Sequence, residues 1–305
     1  MQQNNIDNIP DQQIRQVHQL RDLLVKGRCE VAPETPDGLM AKMVAMAGFK
    51  VAFVGMMGTT LNRIGMPDAG LLTATELVDN AGRCVGAAGL ATVVDAGSGF
   101  GNPINVLRTV TELQRIGAQG VLLRDAQDPR THRTDTGAIS IADMASKLKA
   151  ACDVRADSAW VLIAGIEGVS ETPSLDEIIS RASRYRDAGA DLIYLGTLRS
   201  HAHVHALAKA LDGLPLACSL TVDSQIDVGH LGPLGFQLAL FPHCGLMAAI
   251  PAIEHTFAEL ARTGSVGHLR PHIANFQEFT DIAGLAQVQQ LEQRYGVPEE
   301  QRTTL

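Results

Sequence analysis

The sequence predicts a (β/α)8 barrel, and three features carry that reading. Apolar runs of strand length recur along the chain, amphipathic segments of helical length fall between them, and the count reaches eight strands with a helix after nearly every one. Unbroken apolar runs suit parallel strands covered on both faces, where an exposed sheet face would alternate apolar and polar. No shift in composition marks a second domain, so a closed barrel fits better than an open doubly wound sheet.

Taken in order, the expected strands are 29–33, 50–57, 91–96, 120–125, 160–166, 191–197, 215–220 and 236–241. Amphipathic segments at 37–48, 103–117 and 174–189 read as helices, several ending at a glycine that stops them. Asn102 before Pro103 reads as an N-cap followed by the first helical residue. Residues 10–27 form an expected N-terminal helix against the barrel bottom, with further helices at about 245–263 and 275–296. The expected organisation is an N-terminal helical extension over 1–28, the barrel over 29–265 and a C-terminal helical extension over 266–305.

Composition narrows the function. At 305 residues, 46% hydrophobic and 19% charged, the chain is a globular protein with a sizeable core. A net charge of −8 and 4% aromatic residues exclude a nucleic-acid surface, which needs a basic stripe and stacking platforms. No apolar run reaches the roughly 18 residues of a membrane span, and the polar start "MQQNNIDNIPDQQIRQ" lacks a signal pattern. Five scattered cysteines without CxxC spacing suit reduced thiols in the cytoplasm.

Barrels of this kind place chemistry at the strand C-termini and the loops after them. Those tips hold Glu34, Gly55-Met56-Met57, Asp95, Arg124-Asp125, Glu167, Thr197, Ser219 to Thr221, and His243-Cys244.

Four stretches carry a resemblance: "PDGLMAKMVAMAGFKVAFVG", "LNRIGMPDAGLLTATELVDNAGR", "VVDAGSGFGNPINVLRTVTELQRIGAQGVLLRDAQDPR" and "SRASRYRDAGADLIYLGTL". From about 30 to 250 the chain resembles the isocitrate lyase/phosphoenolpyruvate mutase superfamily, in the style of its methylisocitrate lyase and oxaloacetate decarboxylase branches. The resemblance implies a barrel whose last helix is swapped between subunits, usually in a homotetramer. It also implies Mg²⁺, a small anionic substrate such as a 2-oxo acid or its enolate, and cleavage of a carbon–carbon bond.

The superfamily's motifs fall on changed residues. Its metal motif D-x-D-x-G-Y/F-G reads Asp95-Ala96-Gly97-Ser98-Gly99-Phe100-Gly101, keeping the first carboxylate and losing the second. The aspartate of its "G-x-P-D" loop is Asp68, so Asp95 and Asp68 are the remaining metal-ligand candidates. Its next glutamate is Arg124, followed by the retained Asp125. The gating loop "P-K-x-C-G-H" becomes Pro129 to Thr134, with His132 at the acid/base cysteine position and Arg130 and Arg133 beside it. The arginine of strand five becomes Gly165, with Glu167 where the superfamily has aspartate. The strand-two "S-G" that holds the substrate carboxylate is Gly55-Met56, and the Asn and Glu of strand seven are absent from "CSLTVD".

A guanidinium at 124 repels a dication and pairs well with a carboxylate, so Arg124 is expected to bind Asp95 and to serve as a fixed cation in place of Mg²⁺. A purely structural bridge to Asp95 or Asp125 is the plainer alternative. His132 has the side chain best suited to proton transfer near neutral pH. The expected catalytic residues are therefore His132, Arg124 and Asp95. The expected substrate contacts are Gly55, Met56, Asp68, Asp125, Arg130, Arg133, Glu167 and His243. His201 and His205 share the spacing of a helical zinc pair but lack an acidic partner in register.

Three readings follow: a carbon–carbon lyase or decarboxylase working through an enolate, a metal-independent enzyme with a new reaction in specialised metabolism, and a silent ligand-binding homologue. The retained Asp68, Asp95 and Asp125 favour an enzyme. The apolar circumference of 245–260 predicts a homo-oligomer.

Overall fold

The computed structural model describes residues 19–127, 137–167 and 174–304. By internal contacts the chain divides into two compact units, Met1–Gly245 and Leu246–Leu305. The first unit holds eight strands: β1 Glu30–Pro33, β2 Val51–Val54, β3 Ala91–Asp95, β4 Gly120–Arg124, β5 Val161–Gly165, β6 Leu192–Thr197, β7 Leu216–Ser219 and β8 Phe236–Phe241. All pair in parallel in the order β1-β8-β7-β6-β5-β4-β3-β2. The ring closes at one bridge, Glu34 to Phe53, where the Thr35 N–H donates to the Phe53 carbonyl at 2.7 Å. This is the expected (β/α)8 architecture, and every expected strand is present.

The run expected at 50–57 ends early, because Met56 already opens a helix. After α1 (Leu20–Leu23) and α2 (Gly38–Met46), the segment between β2 and β3 carries α3 (Met56–Ile64) and α4 (Ala74–Ala88). One helix follows each of β3 to β6: α5 (Pro103–Arg115), α6 (Ile141–Asp153), α7 (Leu175–Asp187) and α8 (His201–Ala210). Asn102 caps α5 as its sequence suggests, accepting from the Ile104 and Asn105 N–H groups ahead of Pro103.

Two apolar layers hold the barrel. Inside the ring, Ala32, Val51, Phe53, Val93, Leu122, Ile163, Tyr194, Leu238 and Leu240 pack together, and Leu20 and Leu23 of α1 join them. The Leu20 N–H donates to Gln119 Oε1 at 2.7 Å, and Arg21 pairs with Asp191 at 2.7 Å, which fixes α1 at the strand N-termini. The rest of the helix expected over 10–27 lies outside the described residues. Around the ring, α4 to α8 bury Leu77, Val110, Leu148, Tyr185 and Leu207 against the outward faces of the strands.

In the second unit, Gly284 in a left-handed conformation (φ 87°) separates α10 (Phe276–Ala283) from α11 (Leu285–Arg294), so the expected 275–296 segment is two helices. Helix α9 (Cys244–Thr263) runs from the first unit into the second and buries none of its residues.

Asp125, expected from the sequence as a substrate contact, is instead an anchor of the fold. It is fully buried, and both oxygens are engaged: Oδ1 accepts the Glu167 N–H at 2.7 Å, and Oδ2 accepts the Tyr185 hydroxyl at 2.6 Å and Arg181 Nη1 at 3.0 Å. Arg181 also donates to the Ile139 carbonyl at 3.0 Å and to Glu177 of its own helix. Burial raises the Asp125 carboxyl above the usual carboxylate range, and the bonds from Tyr185, the Glu167 amide and Arg181 oppose that rise. Removing one member of such a buried set strands the other. Asp125→Ala is therefore expected to cost about 3–5 kcal/mol, read as a lower urea midpoint.

Candidate functional site

The strand tips enclose a cavity of about 220 Å3 lined by Glu34, Phe53, Gly55, Met56, Met57, Asp68, Asp95, Arg124, Tyr194, Thr197, Ser219, Pro242 and His243. The volume is small against the ~300–1,000 Å3 of drug-sized pockets, so it suits a molecule of a few heavy atoms.

Asp95 ends β3, and Arg124 ends the neighbouring β4. Arg124 grips Asp95 with two nitrogens: Nη2 donates to Oδ2 at 2.6 Å, and Nε donates to Oδ2 at 3.0 Å and Oδ1 at 3.2 Å. Its Nη1 donates to Glu167 Oε1 at 3.2 Å, and its guanidinium carbon stands 5.0 Å from the Tyr194 ring centroid. Burial opposes the charge on Arg124, but Asp95, Tyr194 and Glu167 outweigh it and hold the group well above its ordinary range. The Tyr194 hydroxyl shares a 2.7 Å hydrogen bond with Ser219 Oγ, and burial raises its pKa against the opposing pull of Arg124 and Ser219.

Small residues make this arrangement fit. In register, Arg124 stands beside Gly165, and a Cβ there would meet Arg124 Cγ at 3.1 Å. The glycine at 165, where the resemblance has arginine, thus leaves the space beside Arg124 uncrowded. The turn after Asp95 is closed on itself. The Gly97 N–H donates to Asp95 Oδ1 at 3.0 Å, the Gly99 N–H donates to the Ala96 carbonyl at 2.9 Å, and Lys147 Nζ donates to the Ser98 carbonyl at 2.8 Å. With those N–H groups engaged, the glycine-rich turn is no phosphate cradle.

A second charged pair comes from β1 and β8. His243 Nδ1 lies 2.8 Å from Glu34 Oε2, and the His243 backbone N–H donates to the same oxygen at 2.5 Å. Glu34 is buried, and its Oε1 has no hydrogen-bond partner. That oxygen occupies the space beside Gly55 and Gly58, where a Cβ on either would collide with it. A serine at 55, as the superfamily has, cannot coexist with Glu34 in this position.

Of the sequence candidates, Gly55, Met56, Asp68, Asp95, Arg124 and His243 line the cavity. Glu167 reaches it through Arg124. His132, Arg130 and Arg133 lie outside the described residues. Glu34, Tyr194 and Ser219 escaped assignment, although closure of a ring places the tips of strands one and eight side by side and offered the signal for Glu34. His201 packs edge-on against His230 with ring centroids 5.5 Å apart, and the described residues hold no group of three side chains able to bind a metal. All five cysteines are free, and burial pushes the Cys29 and Cys84 thiols up to about 12.

Residues 20–261 match the family described as phosphoenolpyruvate phosphomutase. The chain belongs to the phosphoenolpyruvate phosphomutase family. Among relatives, it is 29% identical over 280 residues to 2,3-dimethylmalate lyase of Eubacterium barkeri, covering 90% of this chain and 96% of that one. It is 33% identical over 242 residues to oxaloacetate decarboxylase of Bradyrhizobium sp. (strain ORS 278), covering 79% and 83%. An oxaloacetate acetylhydrolase solved with the inhibitor 3,3-difluorooxalacetate superposes with a TM-score of 0.85 at 28% identity, covering 94% of this chain and 99% of that one.

The phosphoenolpyruvate phosphomutase family resemblance implies Mg²⁺, and the residues here do not fit it. Both oxygens of Asp95 are held by a guanidinium, Gly97 brings no second carboxylate, and a permanent cation stands where a ligand is needed. Gly97 itself leaves room, since its added Cβ would be 3.8 Å from the Met56 methyl, but at φ 54° a side chain there is strained, and aspartate is one of the few residues that enter this region. Arg124→Glu combined with Gly97→Asp is expected to create Mg²⁺ binding measurable by calorimetry. Gly97→Asp alone, with the guanidinium in place, is expected to give none.

Proposed function

We propose that this family member is a carbon–carbon lyase or decarboxylase that acts on a small carboxylate or 2-oxo acid through an enolate, with Arg124 as its fixed cation. The observation that carries the reading is the Arg124–Asp95 grip inside the cavity. Asp95 and Glu167 engage Nε, Nη1 and Nη2, yet each terminal nitrogen carries a second N–H. Those two N–H groups have no partner among the described residues. When the bond beside the substrate carbonyl breaks, its electron pair moves onto the carbonyl oxygen. Preorganised N–H donors stabilise that oxyanion without rearranging during the step.

Charge sets a limit on the substrate. Glu34, Asp68 and Asp95 line the cavity against Arg124 and His243, so a bulky polyanion is disfavoured and a short 2-oxo acid fits better. Arg130, Arg133 and His132, at the positions that the resemblance gives to the superfamily's gating loop, would supply further positive charge and a titratable group. The names of the relatives support this class: a dimethylmalate lyase and an oxaloacetate decarboxylase both break carbon–carbon bonds in small acids. Free thiols support a cytoplasmic location, and no helix among the described residues is long and apolar enough to cross a membrane.

If Arg124 replaces the metal, decarboxylation of oxaloacetate or lysis of a dimethylmalate-type substrate survives exhaustive EDTA treatment. Activity that vanishes with chelator and returns with Mg²⁺ refutes the replacement. Helix α9 also asks for a partner: Met247, Ile250, Ile253, Phe257 and Leu260 are 43–65% exposed, an apolar set that water does not favour. A homo-oligomer covering α9 is the expected assembly, and a stable monomer in sedimentation at micromolar concentration removes it.

A further inference from the structure

Unlike β3 to β6, strand β7 is followed by no α-helix. The connection from Leu220 to Gly235 contains only two short 3-10 turns, Val228–His230 and Gly232–Leu234. Such turns hold weakly, because their hydrogen bonds are poorly aligned. Two bonds fasten the first half of the connection to the loop before α8. Ser224 Oγ donates to the Leu198 carbonyl at 2.6 Å, and the Gln225 N–H donates to the Arg199 carbonyl at 3.2 Å. A third contact continues that line. His230 meets His201, the first residue of α8, edge to face, with ring centroids 5.5 Å apart and planes at 89°.

We propose that His201 and His230 bind one divalent transition-metal ion of the kind that prefers imidazole, Zn²⁺, Ni²⁺ or Cu²⁺, and that the ion clips the β7–β8 connection to α8.

Spacing supports the site. With metal–nitrogen bonds of about 2.1 Å and a tetrahedral angle, two imidazoles on one ion place their ring centroids roughly 5 Å apart. The observed separation is close to that value. Both residues are exposed, and the outer torsion of histidine is broad, so each ring can turn a nitrogen toward a shared ion.

Availability of the nitrogens is the second support. His243 and His268 each give a ring nitrogen to a carboxylate. The rings of His201 and His230 have no hydrogen-bond partner among the described residues and touch only each other. Their lone pairs are therefore open to an ion. No third acidic, thiol or imidazole group completes the set among the described residues, so water fills the other positions. The positive start of α8 opposes a cation weakly, and Asp223 and Asp227 of the same connection bring compensating negative charge.

The consequence is mechanical. A metal clip that joins segments distant in sequence removes freedom from the open chain between them, here the stretch between β7 and β8 that lacks a helix of its own. Neither histidine lines the cavity, so stripping this ion is compatible with turnover that resists chelator.

Zinc titrated into EDTA-stripped, dialysed protein is expected to bind in calorimetry. His201→Ala and His230→Ala are each expected to weaken that binding about tenfold or more. Both side chains are exposed, so these variants keep the fold. His205→Ala is the control, because His205 stands one turn along α8 from His201. Binding lost in His205→Ala but kept in His230→Ala assigns the ion to the helix alone and overturns the clip. Zinc is also expected to slow amide hydrogen exchange over residues 220–235 in the wild type and not in His230→Ala. Absent binding, binding that survives both His201→Ala and His230→Ala, or unchanged exchange over that segment overturns the inference.

Discussion

The site depends on the grip of Arg124 on Asp95. A buried ion pair is stable only when its geometry is good and its spare polar atoms are satisfied. Here the guanidinium binds through two nitrogens, the Gly97 N–H adds a bond to Asp95, and Glu167 takes a third nitrogen. The Tyr194 ring beside Arg124 carries the contact on to Ser219. One ion pair therefore couples the tips of β3 and β4 to those of β6 and β7. Nothing in that set moves without exposing a charge or an unpaired oxygen.

This pair also explains what the chain has lost. The Arg124 stem lies against Gly165, so any side chain on strand five at that position would crowd it. Elsewhere on the ring, Glu34 excludes a side chain at 55 in the same manner. Two departures from the superfamily pattern, at 165 and at 55, thus have a charged side chain on a neighbouring strand beside them. An abandoned site would be expected to lose residues without such matched gains.

The fold was readable because its signals are local. Apolar runs, caps such as Asn102-Pro103 and helix-ending glycines each report on a few neighbouring residues, and their regular alternation leaves a barrel as the simplest arrangement. The Arg124–Asp95 contact was also readable, since consecutive strands of a barrel are neighbours and their tips meet. Asp125 was misread for a physical reason. Adjacent residues on a strand point to opposite sides, so when Arg124 turns into the cavity Asp125 turns outward to Arg181 and Tyr185. Glu34 and His243 are 209 residues apart. Only closure of the ring joins them, and no periodicity or motif announces the left-handed turn that aims His243 at its partner.

These couplings constrain how the chemistry can be altered. Returning arginine to 165 while Arg124 remains crowds its Cβ against Arg124, Leu122 and Tyr194. Restoring serine at 55 while Glu34 remains drives its Cβ into a buried carboxylate whose other oxygen is already held twice by His243. Single steps back toward the superfamily pattern therefore cross an unfavourable intermediate. Exchange of both members of a pair avoids the clash. The same reasoning separates the two pairs from each other, since they share the cavity but no hydrogen bond among the described residues. Substitutions within a pair should combine non-additively in stability.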